Sequence, residues 1–99
     1  MAELLTPQDI GKALGDLTDW TLDDGALKRV VELADFTQAM LVVNRVAEIA
    51  ENDNHHPDID IRWNKVTFRC STHSEGGITA SDVSLAREID GVVEAVRQA

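Results

Sequence analysis

The chain has one cysteine, two prolines, three histidines, and nine Lys and Arg against eighteen Asp and Glu. Each scarcity narrows the reading. A lone Cys70 cannot close an internal disulfide. Its place on the apolar face of a predicted strand suits a small core residue in a reducing compartment. No apolar run approaches a membrane span, and the N-terminus lacks the zones of a signal peptide, so a cytoplasmic protein with no membrane partner is expected. The net charge of −9, with no basic stripe, argues against direct nucleic-acid binding, because phosphate neutralisation supplies most of that affinity. The same field repels phosphorylated or carboxylate ligands and suits a neutral small molecule. Repeats, low-complexity tracts and linkers are absent too. Ninety-nine residues, 43% hydrophobic and 27% charged, make one globular domain.

What is present reads as alternating helix and hairpin. Thr6-Pro7-Gln8-Asp9 is a helix start, with Thr6 at the N-cap and Pro7 at the first helical position. Ile10, Ala13, Leu14 and Leu17 supply an apolar stripe. Trp20-Thr21-Leu22 and Leu27–Leu33 flank Asp23-Asp24-Gly25, a hairpin signal. Asp35 and Gln38 resemble a capping pair opening a helix to about Asn52. Phe36, Met40, Val43, Ala47 and Ala50 form one apolar stripe on it, and Val42, Val46 and Ile49 a second. Burial against a second subunit, or deep burial within the chain, accounts for that surplus. Asp58–Trp63 alternates polar and apolar. A turn is expected at Asn64-Lys65, and Val66, Phe68 and Cys70 share the buried face of the returning strand. The final helix begins at Thr79-Ala80-Ser81-Asp82 and buries Leu85, Ile89, Val92 and Val96.

All three histidines lie between Glu51 and Asp82. Histidine is the side chain that gives and takes protons near neutral pH. Pro57 bars His56 from helical geometry, so the preceding helix ends before it, and Asn52 and Asn54 suit that exit. His73 is expected at a strand end on the polar face. The two histidine clusters thus flank one hairpin. Solvated turn histidines, a surface acid at Glu51 and a helix-start acid at Asp82 are the plainer readings of the same residues.

Glu51-x-x-x-His55-His56-Pro57, five residues, Trp63, nine residues, His73, eight residues and Asp82 resembles the signature of the pterin-4a-carbinolamine dehydratases. Trp63-Asn64-Lys65-Val66, Ser71-Thr72-His73, Gly77-Ile78-Thr79 and Leu85-Ala86 agree with it. The resemblance implies loss of water from a 4a-hydroxytetrahydropterin to give the quinonoid dihydropterin, in recycling the pterin of aromatic amino acid hydroxylases. It implies His55 and His73 as the acid–base pair, in either order, and His56 as a group that binds and orients substrate. Glu51, Asn54, Ser71, Thr72 and Asp82 would support the site; many members carry Asp at the Asn54 position. Trp20, otherwise a core residue, would border the pterin pocket. No metal or organic cofactor is implied.

Two hairpins cannot bury their apolar faces alone, so the expected fold is α+β: one four-stranded antiparallel sheet with three helices on one face, in the order α-β-β-α-β-β-α. A homodimer or homotetramer is expected. Two other classes are open. Three histidines with nearby acids could bind zinc, although adjacent histidines are poorly placed to share one ion. Relatives of the fold also act as dimerisation cofactors or assembly factors without catalysis; the full histidine set favours the enzyme.

Overall fold

The computed structural model describes residues 3–99. Helix α1 (Pro7–Asp16), strands β1 (Thr21–Asp23) and β2 (Ala26–Glu32), helix α2 (Phe36–Asp53), strands β3 (Asp58–Arg62) and β4 (Lys65–Cys70), and helix α3 (Ala80–Gln98) follow in the expected order. A single 3₁₀ turn, His73–Glu75, precedes α3. The strands form one antiparallel sheet in the order β1-β2-β4-β3, with the helices on one face.

Local chemistry explains the boundaries. The Thr6 hydroxyl accepts the Asp9 N–H at 3.1 Å and the Asp9 carboxylate accepts the Thr6 N–H at 3.4 Å, closing the capping box that starts α1. Asp24 (φ 48°) and Gly25 (φ 75°) turn β1 into β2, the positive-φ pair that a tight hairpin requires. Asp35 caps α2 through the Gln38 N–H, at 2.8 Å.

The second hairpin differs from expectation. Its loop is Trp63-Asn64, not Asn64-Lys65: Lys65 already pairs with Arg62 in the sheet, and Trp63 takes the left-handed conformation (φ 51°). Asn64 is committed elsewhere. Its backbone carbonyl accepts the Leu33 N–H at 2.8 Å and its side-chain amide donates to the Leu33 carbonyl at 3.0 Å. That clamp to the end of β2 leaves the positive φ to its neighbour.

The core lies between the inner sheet face and α2 and α3. Leu27, Val31, Val66 and Phe68 meet Val42, Val46, Leu85 and Ile89 there, all essentially inaccessible. The second apolar stripe of α2 is therefore used inside the chain, while Phe36 and Leu41 stay exposed on the same helix. Cys70 is a core residue as expected; burial first, and then the nearby Asp82 charge, push its thiol up to about 12. Arg29 is an unexpected cation on the inner face. It donates to Asp90 Oδ1 at 2.5 Å, and the Trp20 indole N–H donates to the same oxygen at 2.8 Å, so β2 and the β1 entry are tied to α3.

Candidate active site

His55 owes its position to how α2 ends. Asn54 adopts the left-handed conformation (φ 52°, ψ 41°), its N–H donating to the Glu51 carbonyl at 3.3 Å while the His55 N–H reaches the Ala50 carbonyl at 3.0 Å. This is the Schellman arrangement, and asparagine is among the few non-glycine residues that enter it readily. The chain leaves the helix with His55 turned towards α3 and Pro57 stiffening the path into β3.

There His55 meets Asp82. Its Nε2 lies 2.6 Å from Asp82 Oδ1, with the carboxylate fully buried and the imidazole side chain 18% exposed. The other oxygen, Oδ2, accepts the Thr79 N–H at 2.9 Å and the Thr72 hydroxyl at 2.8 Å. Thr72 and Thr79 also share a hydroxyl contact of 2.8 Å. A carboxylate only accepts, so Nε2 carries the proton, and Nδ1 is the nitrogen left for other chemistry. Asp82 thus caps α3, holds the segment just before His73 and orients His55. Buried as it is, it reaches any ligand through His55.

His56 points to the other side of the chain, as adjacent residues in an extended segment do. Its Nε2 lies 2.5 Å from Glu51 Oε2, and both side chains are exposed. Glu51 is on the last turn of α2, one turn back, so the helix itself supplies the partner.

His73 stands beyond the strand rather than on it. β4 ends at Cys70, and Thr72 pairs with Gly77 instead, its N–H donating to the Gly77 carbonyl at 2.7 Å. His73 opens the 3₁₀ turn and is exposed. That bridge draws the chain into a tight loop, which lifts His73 out of the ladder.

The rings line neighbouring but distinct clefts. His55 borders a cleft of about 610 Å³ with Ser81, Ser84, Asp53 and Glu88. His73 borders one of about 470 Å³ with Ser71, Asp58, Arg69 and the Asp24-Gly25 turn. The link between them is Asp82, which binds His55 directly and Thr72 next to His73. Trp20 lies in the core, 4% exposed, rather than on either cleft.

Arg69, Ser81, Ser84 and Glu88 also line the two clefts, with no site role expected for them from the sequence. Arg69 was legible: it shares the alternation that puts Ser71 on the polar face. It grips the β1–β2 hairpin, donating to the Asp23 carboxylate at 2.5 Å and to the Asp23 carbonyl at 2.8 Å, and that hydrogen bond chiefly holds the Asp23 carboxyl below its usual range. The α3 residues carried no signal beyond a helical period. Among the described residues, no three His, Cys, Asp or Glu side chains converge as a metal ion would require. No described helix is long and apolar enough to cross a membrane.

Comparison with known proteins gives a consistent result. The family model described as pterin 4 alpha carbinolamine dehydratase matches residues 3–92. A Mycobacterium avium protein provisionally named pterin-4-alpha-carbinolamine dehydratase is 53% identical over 90 residues, spanning 91% of this chain and 96% of its own length. One from Roseiflexus castenholzii, likewise provisionally named, is 46% identical over 93 residues, 94% of this chain and 100% of its own. Among solved structures, a transcriptional coactivator/pterin dehydratase from Brucella melitensis superposes with a TM-score of 0.89 at 31% identity, covering 92% of this chain and 99% of that one. A pterin dehydratase-like protein identified as a RuBisCO assembly factor in the alpha-carboxysome shares the fold, with a TM-score of 0.62 at 15% identity over 75% of this chain and 86% of its own.

Proposed function

The chain belongs to the pterin 4 alpha carbinolamine dehydratase family, and from that premise we propose that it dehydrates a 4a-hydroxytetrahydropterin by histidine acid–base catalysis. The carrying observation is the pairing of His55 with the buried Asp82, with Nε2 and Oδ1 2.6 Å apart. A fixed carboxylate sets the tautomer of His55 and stabilises its protonated form during turnover.

The reaction breaks the C4a–O bond and the N5–H bond, forms the C4a=N5 double bond and releases water. No electrons are exchanged with a second reactant. One imidazole gives a proton to the departing hydroxyl and another takes the N5 proton; His55 and His73 fill these roles in either order, on a substrate that spans the two clefts they line. His56, held by Glu51, binds and orients the ring. Ser71 lines the His73 cleft and supplies a hydrogen-bonding hydroxyl there, while Thr72 and Asn54 serve by holding the two histidine segments. Trp20 contributes as packing behind the β1 entry. Imidazole and carboxylate groups suffice for this chemistry, without a metal or organic cofactor.

The retained histidine set supports the enzyme over a non-catalytic assembly or dimerisation module. A cytoplasmic setting beside an aromatic amino acid hydroxylase fits the reaction. A homodimer or homotetramer, formed through surfaces such as exposed Phe36 and Leu41, completes the proposal; light scattering that finds a monomer at micromolar concentration would remove that last element. The deciding experiment is steady-state dehydration of a 4a-hydroxytetrahydropterin, with the spontaneous rate subtracted. Turnover well above background is expected. Turnover equal to background would overturn the enzymatic reading.

A further inference from the structure

The His73 cleft has an apolar neighbour. A groove of about 520 Å³ lies around the end of the sheet, lined by Leu4, Leu5, Ile10, Leu22 and Ile78. Leu4 and Leu22 are about half exposed there (53% and 52%), a surface that water covers at a cost. The groove and the His73 cleft share four residues: Asp24, Gly25, Gly76 and Gly77. Three of the four are glycines, so the sill between the two spaces carries almost no side chain. A methyl group built on Gly25 or Gly76 would meet nothing within 4 Å, whereas one on Gly77 would meet Leu4 Cδ2 at 3.1 Å, so the sill is open over Gly25 and Gly76 and Leu4 lies across Gly77. On one side of it stand Asp58, Arg69, Ser71 and His73; on the other, the aliphatic side chains of Leu4, Leu5, Ile10, Leu22 and Ile78.

We infer that the two spaces form one binding site for a pterin bearing an aliphatic substituent on its pyrazine ring, with the ring beside His73 and the substituent in the leucine-lined groove. This rests on the proposed dehydratase reading. The chemistry supplies the direction. The reacting C4a is bonded to N5, and N5 to C6, so a histidine working at this centre has the C6 substituent as its nearest exit. The sill begins three residues from His73. Beyond the sill the side chains that line the groove are all aliphatic, so each methylene placed against them leaves water.

The test compares 6-methylpterin with 6-pentylpterin by fluorescence titration of the full chain, and then their 4a-hydroxytetrahydro forms by steady-state kinetics. The methyl compound carries one carbon beyond the ring and the pentyl compound five, so a groove that holds the substituent should tell them apart. The pentyl compound is expected to bind about tenfold more tightly or better, with the gain expressed in KM rather than kcat. Leu22→Asn, on the exposed edge strand, should bring the pentyl-to-methyl ratio to within about twofold of one. Leu4→Asn serves the same purpose if Leu22→Asn melts early. Equal binding of the two pterins, or an unchanged ratio in both variants, overturns the inference while turnover of the methyl substrate keeps the dehydratase reading. Failure of both pterins to bind, together with no turnover, overturns that reading and the inference with it.

Discussion

Asp82 and His55, 27 residues apart in sequence, are joined by a hydrogen bond of 2.6 Å whose acceptor is completely buried. The carboxylate at the first turn of α3 therefore does two things. It closes the helix start on Thr79 and it selects which nitrogen of His55 carries the proton.

Asp82→Asn separates these duties. The amide oxygen can replace Oδ2 towards Thr79 and Thr72, which leaves an NH₂ group facing His55 and forces the other tautomer. The variant should fold, with kcat reduced at least about tenfold and a displaced pH–rate profile. Asp82→Ala strands several buried donors and should lose about 1–3 kcal/mol of stability. A wild-type pH profile in Asp82→Asn would show that His55 does not depend on this carboxylate.

The three histidines should divide by kinetic parameter. His55→Ala and His73→Ala are expected to lower kcat by about 10²–10⁴-fold, the usual loss for a general acid or base. His56→Ala should mainly raise KM, as removal of uniform binding does. His56 and His73 are exposed, so their variants should melt close to the parent, whereas His55→Ala takes the donor from Oδ1 of the buried Asp82 and should fold but melt lower. Near-full activity in all three would place the chemistry elsewhere on the molecule.

Chelation should change neither activity nor melting temperature, because the proposed proton transfers run between imidazoles and substrate. Dialysis against a strong chelator, followed by metal analysis and assay of the same sample, checks this. Stoichiometric zinc whose removal abolishes turnover would replace the proposed mechanism with a metal-assisted one.

Glu88 sits in the His55 cleft beside Asp53, and burial, then the hydrogen bond with Asp53, hold its carboxyl above the usual glutamate range. A carboxyl raised in the folded state contributes its stability fully below the unfolded value of about 4.3, and that contribution is lost as pH rises through the folded value. At neutral pH the charged group is therefore a net cost. Glu88→Gln should melt higher than the parent at pH 7 and lose that advantage near pH 4. Thermal melts at both values decide; a lower melting temperature at pH 7 would mean that the ionised carboxylate has a stabilising partner.

Much of this protein is set by neighbours in sequence. The Thr6–Asp9 and Asp35–Gln38 caps, the Asp24-Gly25 turn, the left-handed exit at Asn54 and the alternation of β4 each depend on groups within a few residues of one another. Backbone preference and short-range hydrogen bonding act over that distance, so the composition of each segment determined its form and its order along the chain. The spacing of the histidines likewise marked out the region of the site. Only the folded chain decided which strands lie at the centre of the sheet, because β2 and β4 pair across the whole of α2. It also decided that Asp82 serves His55, that Trp20 turns its indole to Asp90 seventy residues away, and that Asn64, clamped to Leu33, passes the left-handed turn position to Trp63. Such partners are chosen by the packing of one element against another. A donor or acceptor carries no mark in its own segment of the group that will satisfy it once water is gone.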